Sequence, residues 1–94
     1  MDLQEHFLGF YEAITLDQRI SATHISLYMA LLFQHVASLE NPIHIERTSV
    51  MQRAKISARS TYNKCMHELN EYGYVKYVPS YNFYLKSLVY IRKV

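Results

Sequence analysis

Apolar side chains recur at spacings of three and four residues over positions 2–14, which is the pattern of an amphipathic helix. The apolar face of this first helix comprises Leu3, Phe7, Phe10, Tyr11 and Ile14. A second helix runs to about residue 39, and Ser21 or Thr23 can cap its first turn through a hydroxyl group. Its broad apolar stripe comprises Ile25, Tyr28, Leu31, Leu32, Val36 and Leu39. We therefore expect the second helix to be the central, most buried one.

Asn41-Pro42 ends the second helix, because the residue before a proline disfavours helical geometry. Residues 43–46 then alternate apolar and polar side chains, which predicts a very short strand. A short helix follows, with Thr48 or Ser49 as its predicted cap. Its inward-facing residues are Val50, Met51 and Ala54.

A tight turn at Lys55-Ile56 leads into a longer helix over about residues 57–72, which starts at Ser57 or Ala58. The apolar positions of this helix are Tyr62, Cys65, Met66, Leu69 and Tyr72. Gly73 follows at once, where the left-handed backbone that ends many helices favours glycine by roughly 1 kcal/mol. Two helices joined by a short turn, with the second the longer, form a helix-turn-helix unit.

The last quarter of the chain predicts a β-hairpin. Residues 74–78 and 87–92 are rich in β-branched and aromatic side chains, and residues 79–86 have the length of a hairpin tip. Together with the short strand at 43–46, the hairpin gives a three-stranded sheet that follows the helix-turn-helix. The predicted fold is therefore α+β and mostly α: a winged helix-turn-helix with an extra N-terminal helix, forming a single domain over residues 1–94.

Composition supports a small domain with its own core. The chain has 94 residues, of which 50% are apolar or aromatic and 19% are charged, so one core can form without disulfides. A lone cysteine, Cys65, has no internal partner, which makes a reducing cytoplasm the expected compartment. The apolar runs are too short to cross a membrane, and no leader pattern opens the sequence.

The net charge of +2 conceals a split between the two halves of the chain. Residues 1–46 hold six acids against one base, a net charge of −5, whereas residues 47–94 hold nine bases against two acids, a net charge of +7. Such asymmetry indicates a basic face directed at a polyanion. The sequence pI of about 8.7 is below the value of about 9 that many DNA-binding domains exceed.

The segment TSVMQRAKISARSTY at positions 48–62, followed by Met66, Leu69 and Gly73-Tyr74-Val75, resembles bacterial winged-helix transcriptional regulators. The shared features are an apolar pair in the first helix, a turn ending in Ser and a Ser/Arg-Ser-Thr start to the recognition helix. The chain is also similar to small winged-helix proteins of gut Bacteroidetes, which are often carried near mobile elements. The resemblance covers roughly residues 20–92 and implies double-stranded DNA as the partner. The aromatic wing, with Lys86 as its one base, departs from the family pattern. A second departure is that we expect no effector domain.

The predicted recognition helix turns polar residues away from its apolar stripe. We predict that Arg59 and Asn63 read base edges, because Arg pairs with guanine and Asn with adenine in the major groove. The residues predicted to contact phosphates are Arg53, Lys55, Ser57, Ser60 and Lys64. His67 is a candidate rim contact and Lys86 a candidate wing contact. Glu68 lies one turn beyond Lys64 and can pair with it, which would weaken the phosphate role of Lys64.

Other chemistries find little support in the sequence. Cys65 and His67 point to different sides of one helix and the remaining histidines are isolated, so no metal site is expected. No phosphate loop, nucleophile elbow or carboxylate pair is present, so we expect neither an enzyme nor a cofactor. In the wing, Tyr81, Phe83 and Tyr84 can stack on unpaired bases or dock a protein, and Phe83 can instead pack into the core.

The expected function is sequence-specific binding of double-stranded DNA by a cytoplasmic transcriptional regulator, with no small-molecule ligand and no membrane contact. Such regulators usually bind as homodimers, because a two-fold protein matches two half-sites. We assign Leu3, Phe7, Phe10 and Tyr11 of the first helix to the dimer interface. The alternatives are an accessory protein for replication or excision of a mobile element, and a winged helix used only for protein interaction.

Overall fold

The computed structural model describes residues 2–81 and 85–92. Along these residues the chain forms two helices and a short strand, then two further helices, and then a two-stranded hairpin. The elements are α1 (Leu3–Leu16), α2 (Ala22–Ser38), β1 (Ile43–Ile45), α3 (Arg47–Ala54), α4 (Arg59–Glu71), β2 (Val75–Val78) and β3 (Ser87–Ile91). This order confirms the α+β, mostly helical fold: a winged helix-turn-helix topology with an additional N-terminal helix.

The first two helices begin where side chains cap them. Asp2 accepts a hydrogen bond from the Glu5 amide at 3.2 Å, and the Ser21 hydroxyl accepts from the His24 amide. Helix α2 ends at Ser38, within one residue of the prediction, and Leu39 adopts a left-handed backbone with φ of 58°. Leu39 is consequently 87% exposed and is not part of the buried stripe.

The sheet places β3 between its two neighbours, in the order β1-β3-β2, with both pairs antiparallel. The register sets Ile43 opposite Val89 in one pair and Val75 opposite Ile91 in the other. Asn41 extends the β1 side of the sheet, since its side-chain oxygen accepts from the Ile91 amide at 3.0 Å and its amide group donates to the Ile91 carbonyl at 3.3 Å. The hairpin of the wing is therefore held against the end of α2.

The core lies between α2, α4 and the inner face of the sheet, and α1 covers one side of it. Phe10 stacks on Tyr28 with ring centres 3.9 Å apart and meets the edge of Tyr74 at 5.8 Å. The Tyr28 hydroxyl also bonds Nε2 of the buried His6 at 2.5 Å. Because only 1% of Phe10 is exposed, it belongs to the core of its own chain, and its assignment to a dimer interface is wrong.

The helix-turn-helix is fixed by its turn and by a tether to α2. The predicted caps Thr48 and Ser49 are incorrect: Glu46 occupies the N-cap position of α3, and its side chain accepts from the Ser49 hydroxyl at 3.2 Å rather than from a first-turn amide. Lys55 ends α3 with φ of 60°, and the Ile56 amide donates back to the Met51 carbonyl at 3.0 Å. The Ser26 hydroxyl donates to the Ala54 carbonyl and so joins the end of α3 to α2.

None of the helices within residues 2–81 combines the length and the hydropathy that a bilayer crossing requires.

Candidate nucleic-acid interface

Helix α4 carries the predicted recognition surface and begins at Arg59, one residue after Ala58 and two after Ser57, the two predicted starts. Ala58 is its N-cap, with no side-chain hydrogen bond to the first turn. Ser57 therefore lies in the turn before the helix, where it is exposed. The amide groups of the first turn, which begins with Arg59, have no side-chain cap and carry the positive end of the helix dipole.

The inward face of α4 agrees with the sequence pattern. Its buried residues are Tyr62, Cys65, Met66 and Leu69. Burial raises the pKa of Tyr62 to about 12, and burial also raises the pKa of the Cys65 thiol. Both groups consequently remain protonated at neutral pH, and Cys65 packs as a small apolar residue.

An open groove of about 610 Å³ runs between α3 and the start of α4. It is lined by Arg47, Thr48, Met51, Gln52, Lys55, Ile56, Ser57 and Arg59. Three cations and no acid are found among these described residues, so the groove is a concentrated positive surface. The structure brings three of the predicted DNA-binding residues, Lys55, Ser57 and Arg59, together in this one groove.

Arg47 is the residue of this groove that the sequence reasoning missed. It is the first residue of α3, and it lies close enough to Tyr62 to counter, in small part, the rise in the pKa of that phenol. The spacing Arg47, Met51, Lys55 recurs every four residues, which places all three on one side of α3. That spacing was the available signal.

Arg53 and Lys86 lie in a different groove, on the α2 side of α3. This groove of about 360 Å³ is lined by Phe33, Gln34, Ala37, Ser38, His44, Glu46, Ser49, Arg53 and Lys86. The Arg53 guanidinium sits 4.7 Å from the centre of the Phe33 ring, a cation–π contact. Arg53 and Lys55 both line a further groove, of about 560 Å³, against α2, whereas only Lys55 also reaches the groove at the start of α4.

The outward face of α4 holds the remaining predicted residues. Ser60, Asn63, Lys64 and His67 are all exposed. The predicted Lys64–Glu68 pair is not formed among the described residues, because Glu68 is directed toward His24 and Tyr72 instead. His67 meets the edge of the Tyr77 ring at 5.4 Å, so it contacts the wing strand β2.

The C-terminal half of α4 takes part in an internal polar network. The Tyr72 hydroxyl donates to Glu68 Oε2 at 3.0 Å and the His24 ring lies 3.0 Å from Glu68 Oε1, and these two contacts lower the pKa of Glu68. Arg19 stacks over the Tyr72 ring at 4.0 Å and pairs with Asp17 at 2.8 Å. This end of α4 is thereby fastened to the connector between α1 and α2.

The network also brings His24, Cys65 and Glu68 together, with ligand atoms within 4.8 Å of one another. The interpretation of His24 as isolated is thus wrong. The group does not fit a metal, however, because Nδ1 of His24 accepts the Ser21 amide hydrogen at 2.9 Å. A neutral His24 must then carry its proton on Nε2 and donate it to Glu68, which leaves no lone pair for a metal.

The wing is described only in part. Tyr81 is 95% exposed, whereas the predictions for Phe83 and Tyr84 fall outside the described residues. No protein-family model, curated protein or solved structure matches this chain significantly. The topology and the surface chemistry therefore carry the functional argument.

Proposed function

We propose that this chain binds double-stranded DNA in a sequence-specific way, as a transcriptional regulator, with α4 in the major groove. The observation that carries the proposal is the groove at the start of α4, in which Arg47, Lys55 and Arg59 are gathered without an acid among its described lining. The winged helix-turn-helix topology supplies the context in which such a surface faces DNA.

Base reading is assigned to Arg59 and Asn63, which are exposed and one turn apart on α4. Both side chains are free to extend, and their donors match the edges of guanine and adenine in the major groove. Ser57, Ser60 and Lys64 surround them and are assigned to phosphates, together with Lys55 and Arg47. His67 is assigned to the rim, because Tyr77 already packs against it.

Arg53 and Lys86 are assigned to the periphery of the interface. They share a groove with Glu46 and with α2 rather than with the start of α4. A cation at that position adds long-range attraction to the duplex, and we expect its loss to cost less affinity than the loss of Lys55.

The first test is fluorescence-anisotropy titration of the whole chain with a labelled random duplex of about 25 base pairs, from about 50 to 300 mM salt. We expect a dissociation constant of micromolar order at low salt, and a log–log salt slope of roughly −3 to −6. Absence of binding at the lowest salt, by protein that circular dichroism shows to be folded, would overturn the proposal.

Matched lysine variants localise the surface. Lys55→Ala is expected to weaken binding to all sequences alike and to reduce the salt slope by about 1. Lys76→Ala removes the same charge from the outer face of the sheet, where Lys76 lies 5.4 Å from the Tyr90 ring centre, and it should leave affinity unchanged. Equal effects of the two variants would mean that net charge, and not this groove, attracts DNA.

Arg59→Ala tests the base-reading assignment once a preferred site has been selected from a random pool. We expect a loss of roughly 1–3 kcal/mol in specific binding and a relaxed preference at one base position. Unchanged affinity and unchanged preference would show that α4 is not the reading helix. The same selection separates a regulator, which prefers one operator, from an accessory protein that binds DNA with little preference.

A further inference from the structure

Helix α2 turns an uncharged face outward. Its 17 residues include no Asp, Glu, Lys or Arg, although a helix at the surface of a globular protein normally places charged residues opposite its buried stripe. Near the middle of this face, Met29 is 40% exposed and Phe33 is 54% exposed. Val36, one turn further on, is 40% exposed.

Helix α1 extends this apolar surface. Leu3 is 45% exposed and Phe7 is 41% exposed, and they flank a groove of about 500 Å³ between the two helices. Its lining is Leu3, Gln4, Phe7, Met29, Leu32, Phe33 and Val36. The groove is open and its described lining carries no charge, so it accepts bulky apolar side chains without desolvating an ion.

The exposed area is of the size that a small dimer needs. At about 200 Å² for a fully exposed large side chain, Leu3, Phe7, Met29, Phe33 and Val36 together expose on the order of 450 Å². The smaller exposed residues of α2 on the same side, such as Ala22 and Ala37, bring the face close to the roughly 600 Å² per partner at the lower limit of specific interfaces.

We propose that this face is covered by a second copy of the chain, with the two α2 helices antiparallel about a two-fold axis between Met29 and Phe33. The exposed area approaches what a small two-fold dimer buries, and none of the described residues that line the groove between α1 and α2 is charged, while Arg53 and Lys55 border the face beside Met29 and Phe33. In an isologous contact Phe33 of one copy meets Met29 of the other, and the reverse contact follows by symmetry.

This interface moves the centre of the dimer from α1, where the sequence pattern placed it, to α2. Arg53, which stacks on Phe33, then lies at the edge of the contact. The interface stands apart from DNA binding, but its use to present two α4 helices to two half-sites rests on the proposed function.

Analytical ultracentrifugation of the full chain without DNA, from about 1 to 100 µM, tests the interface. We expect a dimer with a dissociation constant of micromolar order. Phe33→Glu should weaken association by on the order of 100-fold, because each dimer would lose two apolar rings from the centre of the contact and would have to desolvate two carboxylates. Leu16→Glu is the matched control, since Leu16 is 86% exposed and does not line this groove.

Complementary charges test the two-fold pairing itself. Met29→Lys and Phe33→Glu chains should each be monomeric, and an equimolar mixture should recover a dimer, since one copy's lysine then faces the other copy's glutamate. Any of three results would overturn the proposal: a wild type that is monomeric at about 100 µM, a Phe33→Glu chain that dimerises as tightly as wild type, or a mixture that stays monomeric. A dimer that fails to bind duplex DNA would overturn only the proposed function, whereas a monomer that binds it would overturn only this interface.

Discussion

The two halves of α4 differ in what their polar side chains bond to. Near the start, Arg59, Asn63 and Lys64 are exposed, and within residues 2–81 and 85–92 no hydrogen bond or ion pair engages them. Toward the end, Glu68 and Tyr72 bond each other and join a network to α2. Polar side chains that hydrogen-bond within the chain contribute to the stability of the fold. Exposed polar side chains without such bonds are available to bind a ligand.

The largest difference between the halves should appear in stability. Leu69 is 1% exposed, so Leu69→Ala removes core contacts and leaves a cavity, at a cost of about 2–5 kcal/mol. Lys64→Ala, at an exposed position one turn away, should change the free energy of unfolding by less than about 0.5 kcal/mol. Urea denaturation of both variants measures this contrast, and a comparable loss in each would mean that the outward face of α4 is also structural.

A smaller effect is expected where α4 ends. Gly73 has φ of +88°, and a Cβ added there would have no atom within 4 Å. Gly73→Ala should therefore cost about 1 kcal/mol through backbone conformation alone. Thermal and urea unfolding should agree on this loss, and DNA affinity of the folded variant should stay unchanged. A loss several times larger would point to a steric conflict that the open space around Gly73 argues against.

Most of the fold could be predicted from the sequence, because helical and strand periodicity record which face of each element is buried. The errors occur at ends and at side chains whose neighbours come from elsewhere in the chain. Helix α2 stops at Ser38 because Leu39 takes a left-handed backbone, a conformation that periodicity does not encode. The His24–Glu68 contact joins residues 44 positions apart, so it exists only once α2 packs on α4.

The candidate site was predictable only in part, for a related reason. The exposed face of α4 follows from its own buried stripe, and Asn63 and Lys64 were found in this way. The absence of Arg53 from the groove at the start of α4 depends on how α3 is rotated against α2, where Phe33 receives the Arg53 side chain. The spacing of Arg47 from Lys55 places the two on one side of α3, but that this side faces the start of α4 depends on the angle between the two helices, which no pattern in a single helix can supply.

Lys55 allows stability and DNA binding to be separated at one position. Its φ of 60° and ψ of 37° are left-handed, a region that disfavours side chains other than that of glycine. Lys55→Gly should stabilise the fold by about 0.5 kcal/mol while weakening DNA binding at all sequences. Urea midpoints and anisotropy titrations on the same preparation would show the two changes in opposite directions. Weakened folding together with weakened binding would mean that the aliphatic part of Lys55 also contributes packing.

The smallest expected effect concerns the pH dependence of the network at the end of α4. The Tyr72 hydroxyl and His24 hold the pKa of Glu68 below its usual value of 4.5. The folded state therefore releases this proton more readily than the unfolded chain does. The stabilisation is fully present above about pH 4.5 and is lost as the pH falls through the lowered pKa of the folded state.

Glu68→Gln should remove this part of the acid sensitivity, so that its urea midpoint falls less between pH 5 and pH 3 than that of the wild type. Glu71→Gln, at an exposed position of the same helix, is the control for the loss of one carboxylate. If both variants flatten the pH profile equally, general charge repulsion and not the network accounts for the acid sensitivity, and the contrast between the two halves of α4 then lies in exposure alone.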